Sequence, residues 1–137
     1  MFKSVNWIGV IVAAIVMYVI GWLWYSMLFK AQYMAAMPNA GAAMPTTTYL
    51  YGFINTLVAA IGLGLVAPRL GDGWGGGAKA GLMVGIFFAA TTLMMGYIYG
   101  NMPKDLLWID LGYLLVMYVV GGAIVCGLSL GRRVVAA

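Results

Sequence analysis

Four long apolar runs divide the chain, and they constrain its fold more than any other feature. They cover about residues 5–29, 47–67, 78–99 and 106–130, with most charged residues between them or at their edges. Each run is long enough for a helix to cross the hydrocarbon core of a bilayer, which takes about 20 residues. Only 7% of the residues are charged, whereas soluble domains carry about 25%. The sequence therefore predicts an all-α membrane protein in which a single domain, residues 1–137, forms a four-transmembrane-helix bundle.

The first run ends in an aromatic stretch over residues 21–30, where Trp22, Trp24 and Tyr25 precede Lys30. Aromatic residues followed by a charge are typical of a helix that leaves hydrocarbon for head groups. A cleaved signal peptide is the rival interpretation. Its apolar region would be shorter and poorer in Trp and Tyr, so the run is interpreted as a membrane span.

Two connecting segments have a distinctive composition. In the longest, residues 30–46, the first part to residue 37 is expected to continue as a helical turn or lie along the membrane interface, until Pro38-Asn39 breaks it. The glycine-rich segment 71–77 is predicted to be a short, flexible turn. It lacks the Gly-Lys-Ser/Thr of a nucleotide-binding loop, and no strand precedes it.

The distribution of basic residues predicts the orientation. With four spans, both termini and the 68–78 turn share a side, which holds Lys3, Arg69, Lys79, Arg132 and Arg133. The opposite side holds only Lys30 and Lys104. The positive-inside rule therefore predicts that the N- and C-termini lie in the cytoplasm.

Several classes of function are disfavoured by what the sequence lacks. Histidine is absent and cysteine occurs once, at Cys126, so ordinary haem ligation, histidine-based zinc sites and internal disulfides are excluded. The basic residues flank apolar runs, where topology and lipid head groups explain them better than nucleic acid does. We therefore expect no catalytic site, metal or cofactor, no nucleic-acid partner, and the lipid bilayer as the main environment.

Polar and aromatic residues are concentrated at one predicted membrane level. Asp110 is the only acid inside an apolar run, about four residues from its start, and the end of the first span lies at the same level. An acid in a membrane segment usually turns inward to a partner. The candidate hydrogen-bond donors are Tyr113, Ser26, Tyr25, Trp24, Lys104 and Asn101.

Two interpretations of this level remain open. It is either a polar clasp that fixes the fourth span against the first, or a proton, cation or ligand site. The residues assigned to it are Trp24, Tyr25, Ser26, Asn55, Asp110 and Tyr113.

Small residues recur every four positions along the third span. The stripe consists of Gly77, Gly81, Gly85 and Ala89, and Gly96 and Gly100 repeat the spacing. Such spacing predicts close packing between membrane helices. It leaves open whether the partner helix belongs to the same chain or to another subunit.

Short motifs at the ends of the spans resemble a known family. They are Asn6-Trp7, then Gly21-x-x-Trp24-Tyr25-Ser26, and finally Ile109-Asp110-x-Gly112-Tyr113. Over about residues 5 to 130 the chain resembles small bacterial four-span membrane proteins catalogued only as a domain of unknown function. The resemblance implies that the motif residues matter jointly, and it implies a location in the bacterial cytoplasmic (inner) membrane. It implies no activity, substrate or cofactor.

Three hypotheses of function follow from the sequence. The first is a structural or accessory subunit, which forms a homo-oligomer or packs against a larger membrane complex through its glycine faces. The alternative is a small oligomeric transporter or channel. The third is a lipid-processing membrane enzyme, although no pair of residues has a recognisable nucleophile–base spacing.

Overall fold

The computed structural model describes residues 2–41 and 44–129, and over these ranges the chain is all-helical, without strands. Four helices within these ranges are long and apolar enough to cross a membrane, as predicted: α1 (Trp7–Leu28), α3 (Thr46–Leu70), α4 (Gly73–Tyr99) and α5 (Lys104–Gly127). A short helix, α2 (Lys30–Ala36), follows α1. Residue 130, the predicted end of the last span, lies outside the described residues.

The prediction of a flexible turn over residues 71–77 is wrong. Only Gly71 and Asp72 connect α3 to α4, because α4 already begins at Gly73. Gly73 has a φ of 68°, a left-handed conformation that favours glycine. At Gly71, a Cβ atom would lie 2.7 Å from the backbone carbon of Gly76, so the turn is too tight for a side chain. Packing of the glycine-rich segment against its surroundings therefore overrides the low helix propensity of glycine.

One end of the bundle, here called the closed end, contains most of the buried core. It is formed by the first halves of α1 and α4 and the second halves of α3 and α5. The core residues of this end are Val5, Val10, Ala13, Ala14, Met17, Ala60, Leu63, Met117, Ile124 and Val125. Three of these ten residues are alanines, which allow α1 and α3 to approach each other closely.

The glycine stripe brings α4 against α5 of the same chain. A Cβ atom on Gly81 would lie 2.8 Å from the carbonyl carbon of Tyr118, which is a backbone atom that a rotamer change cannot move. One on Gly77 would lie 2.6 Å from the Cβ atom of Cys126, the buried cysteine. Gly85 is less tightly enclosed, with side-chain atoms of α5 at 3.3 Å.

The later members of the stripe do not continue this contact. Ala89 is half-buried. Near Gly96, the nearest atom a Cβ would meet belongs to Met102, at 3.9 Å. Gly100 follows the last residue of α4 and lies against its own helix, at the carbonyl of Gly96. Close backbone packing is therefore a property of the first half of α4.

The opposite end, here called the open end, is shaped by two π-helical segments. Residues Trp24–Leu28 form the last turn of α1, and residues Gly85–Ala90 interrupt α4. Contacts between α4 and α5 are concentrated in residues 73–90 and become sparse beyond them. Thr91 and Thr92 follow the second π segment and donate hydrogen bonds of 2.8–2.9 Å to the carbonyls of Phe87 and Phe88 within it, a pattern that often accompanies a bend in a helix. The second half of α4 therefore stands away from α5 and leaves space between the helices.

Candidate functional site

Two aromatic side chains and two glycines lock α1 to α5 at the open end. The Nε1–H of Trp24 donates a 3.1 Å hydrogen bond to the carbonyl of Ile109. Its indole ring lies over Gly112, where a Cβ atom would come within 3.1 Å of the ring. In the reverse direction, the Tyr113 hydroxyl lies beside Gly21, 2.8 Å from the position of a Cβ. Each helix thus supplies one bulky residue and the glycine that accommodates its partner.

Asp110 is the buried centre of this end. Its carboxylate accepts a 2.6 Å hydrogen bond from the Tyr25 hydroxyl at Oδ1 and a second from the Tyr97 hydroxyl at Oδ2. The side chain is 8% exposed. Each oxygen of the Asp110 side chain thus has one tyrosine hydroxyl as its donor. Asp110 therefore connects α1, α4 and α5 at one point.

Trp24 and Tyr25, the first two residues of the π segment, both reach α5. Consecutive residues of an α-helix point about 100° apart, given 3.6 residues per turn. Here the indole reaches the carbonyl of Ile109 while the next residue reaches the carboxylate of Asp110. Such π turns are frequent at functional sites.

Aromatic rings continue from the clasp to α2. The ring of Tyr25 lies 5.2 Å from that of Tyr113 and 5.2 Å from that of Tyr33, both in edge-on geometry. Tyr33 belongs to α2, so the short helix is held over the site by an aromatic contact. Edge-to-face pairs of this kind contribute about 0.5–1.5 kcal/mol beyond the area they bury.

These elements line an open cavity of about 890 Å³ at the open end. Its walls are mainly aromatic and apolar, and Asp110 and Lys30 are the charged residues in them. Four methionines from α2 and the connecting segments also line it. The lining residues are Tyr18, Gly21, Trp22, Tyr25, Ser26, Lys30, Tyr33, Met34, Met37, Met44, Tyr49, Gly52, Asn55, Thr56, Leu93, Met102, Leu106, Asp110, Tyr113 and Leu114.

The predicted site residues fall into two groups. Trp24, Tyr25, Asp110 and Tyr113 form a chain of contacts, in which Tyr25 joins Asp110 to Tyr113 and Tyr113 lies against Trp24. By contrast, Ser26 and Asn55 have exposed side chains that line the cavity. Asp110 draws its hydrogen bonds from Tyr25, which was among the predicted donors, and from Tyr97, which was not.

Tyr97 and Tyr33 are the site residues that sequence reasoning missed. The available signal for Tyr97 was its membrane level, which matches that of Asp110 in a four-span topology. For Tyr33 there was no comparable signal, because its position depends on the direction in which α2 leaves α1.

The site offers a hydrogen-bonding carboxyl group and aromatic surface. One carboxylate and its phenol donors are surrounded by aromatic rings. Within the described ranges, no group of three or more Cys, Asp or Glu side chains is arranged to hold a metal ion.

Comparison with known proteins identifies a family of unknown function. No curated protein and no solved structure matches the chain. The sequence model of a family described as "Protein of unknown function (DUF1761)" matches residues 8–126. This range includes the whole clasp and most of the four long helices, and it confirms the resemblance noted from the span-end motifs. The chain therefore belongs to the DUF1761 family.

Proposed function

We propose that the protein binds an amphiphilic molecule in the cavity at its open end. The observation that carries this proposal is the cavity itself, about 890 Å³ of space bounded by all four long helices and α2. Ligand sites typically measure about 300–1,000 Å³, with mostly apolar walls and a few convergent polar groups. This cavity has the same character.

The distribution of residues within the cavity supports an amphiphile over a wholly apolar or wholly polar ligand. Asp110 and the Tyr25 hydroxyl provide a polar wall, whereas Leu93 and Leu114 provide apolar surface. Methionines adapt to irregular shapes because they are unbranched and flexible, and they are common at binding surfaces that accept several ligands. We infer that a polar head group lies near Asp110 and that an apolar chain lies against the methionines and leucines.

A substitution that fills the cavity tests the proposal. Gly52 lines it, and a Cβ there would make only an ordinary 3.5 Å contact with Tyr18, so Gly52→Leu extends a side chain into the cavity. The matched control is Gly62→Leu on the same helix, where a Cβ meets nothing within 4 Å. Native mass spectrometry of gently extracted protein should detect a bound amphiphile in the wild type and Gly62→Leu, but not in Gly52→Leu. Equal occupancy in all three proteins would contradict the proposal.

Assembly with other subunits is a second candidate function, and it corresponds to the accessory-subunit hypothesis drawn from the sequence. In the described residues the tightest part of the glycine stripe, Gly77 and Gly81, is occupied by α5 of the same chain. A partner would therefore contact the outward face of the α4 π segment, where Phe87 and Phe88 are exposed. Cross-linking in native membranes tests this, since Phe88→Ala should reduce a specific homo-oligomer or hetero-oligomer band.

Transport of the bound molecule and chemical processing of a lipid are the remaining hypotheses. Both require the same cavity, so the Gly52→Leu variant would abolish them together with binding. We also propose that the open end faces away from the cytoplasm of a bacterial inner membrane, which follows from the bias of basic residues toward the closed end.

A further inference from the structure

We propose that the head group of the bound amphiphile is a substituted ammonium cation, held between the Asp110 carboxylate and the faces of nearby tyrosines. This inference rests on the proposed function, because it specifies the ligand of the same cavity. Three observations carry it: an acid with no cationic partner among the described residues, a surrounding group of aromatic rings, and the location of Lys30.

The first observation is the set of partners around Asp110. Asp110 is buried at the cavity wall, and its two oxygens accept hydrogen bonds from phenol hydroxyls, which are neutral donors. No lysine or arginine in the described part of the chain forms a salt bridge with it. A carboxylate has about four lone-pair positions, so two tyrosines leave it with free acceptor capacity. A buried charge is stabilised by an opposite charge, and here a ligand cation is the group that would supply it.

The second observation is the aromatic surround. Tyr25, Tyr33 and Tyr113 line the cavity beside Asp110, with ring centroids 5.2 Å apart in each adjacent pair. Cations bind to the faces of aromatic rings within about 6 Å of the centroid, and groups of such rings recognise quaternary ammonium ligands. A carboxylate together with several rings is therefore selective for an alkylated ammonium over a hydrated metal ion.

The third observation concerns the source of the ammonium group. Lys30 lines the same cavity but is exposed, at the start of α2. In a zwitterionic lipid, a phosphate beside the ammonium group would be attracted to Lys30. A free alkylammonium compound has no such anion and needs only Asp110 and the tyrosines. The two sources are therefore separable by a Lys30 variant.

The experiment uses the protein in nanodiscs and four ligands that each have a ten-carbon chain. These are decyltrimethylammonium, decylphosphocholine, decyl maltoside and decanoate, and binding is followed by tryptophan fluorescence, because Trp22 lines the cavity. Empty nanodiscs correct for partition into lipid. We expect Asp110→Asn to weaken decyltrimethylammonium about tenfold, equivalent to about 1.4 kcal/mol, and to change decyl maltoside by less than about twofold.

A second pair of variants tests the inference without changing Asp110, in case Asp110→Asn does not fold. Tyr33→Leu removes a ring without disturbing a hydrogen bond of Asp110, and we expect it to weaken the ammonium ligand about threefold. Tyr33→Phe keeps the ring face and should restore wild-type affinity. Equal losses for Tyr33→Leu and Tyr33→Phe would contradict a role for the ring face.

The ligand series separates failure of this inference from failure of the proposed function. The inference would be overturned if decyl maltoside or decanoate bound as tightly as the ammonium ligands and Asp110→Asn changed none of these affinities. The cavity would then still be a binding site. Binding of none of the four would overturn both. If Lys30→Gln weakens only decylphosphocholine, the source is a lipid head group, and if it weakens neither ammonium ligand, the source is a free ammonium compound.

Discussion

Two buried polar side chains hold helices together at opposite ends of the bundle. At the closed end, the Asn6 side chain accepts from the backbone N–H of Gly9 at 3.3 Å and donates to the carbonyl of Val125 at 3.4 Å. At the open end, Asp110 accepts from tyrosines on two other helices. A polar group buried in apolar surroundings is costly unless it is hydrogen-bonded, and both of these are. Each therefore fixes the register of α5 against α1.

Substitution of Asn6 separates its two roles. Asn6→Ala removes the N-cap of α1 and the tie to α5, and we expect it to lower the free energy of unfolding by about 1–2 kcal/mol. Asn6→Asp keeps the capping oxygen but loses the amide donor to Val125, so it should retain the cap alone. Unfolding in mixed micelles measures both. As a control, Asn55→Ala removes an exposed amide and should change stability little.

At the scale of the element, α4 is a helix with two different halves. Its first half packs backbone to backbone on α5 through Gly77 and Gly81. Beyond the π segment, its second half is joined to the clasp by the hydrogen bond from Tyr97 to Asp110. The first half is therefore a fixed support, and the second is a wall of the cavity held by a side chain.

Two alanine substitutions test the fixed half. In Gly81→Ala, the added methyl group would meet the backbone of Tyr118, which cannot turn aside, so the two helices must separate. We expect a loss of about 1–3 kcal/mol, the usual cost of overpacking. Gly75→Ala lies on the same helix and meets nothing within 4 Å. It should be neutral or slightly stabilising because alanine favours helix, and equal losses in both variants would contradict the packing described.

On the scale of the whole molecule, the bundle combines a compact end with a cavity-bearing end. Most buried apolar residues lie at the closed end, whereas the open end is held by hydrogen bonds and ring contacts around Asp110. Regions with few buried apolar contacts open locally at lower free energy than the core. The cavity therefore lies at the end that can open without unfolding the rest.

Removal of one hydroxyl should reveal this difference. Tyr97→Phe deletes a donor to Asp110 and keeps the ring, so we expect faster hydrogen–deuterium exchange in residues 91–99 and unchanged exchange in residues 73–84. Mass spectrometry of the protein in nanodiscs measures both segments at once. Faster exchange in both segments would mean that the two ends of α4 open together.

The sequence was sufficient to predict four helices that are long and apolar enough to cross a membrane, because this property follows directly from hydropathy. The same reasoning grouped Trp24, Tyr25 and Tyr113 with Asp110. It did not identify Tyr97 as a donor or Tyr33 as a cavity wall, since these depend on the π segment of α4 and on the direction of α2. Glycine content was misleading at residues 73–77, where contact with neighbouring backbone stabilises a helix that glycine alone disfavours.

The contact between Gly77 and Cys126 makes the accessibility of this cysteine a measure of how closely α4 packs on α5. Cys126 is 1% exposed and faces the tightest part of the α4–α5 interface. It is also the single cysteine of the chain, so no background thiol has to be removed by mutation. A membrane-permeant maleimide can alkylate it only when the two helices part. The labelling rate therefore measures how often α4 separates from α5 in the unmodified protein. A change in this rate when a ligand occupies the cavity would show that binding alters the contact between the two helices.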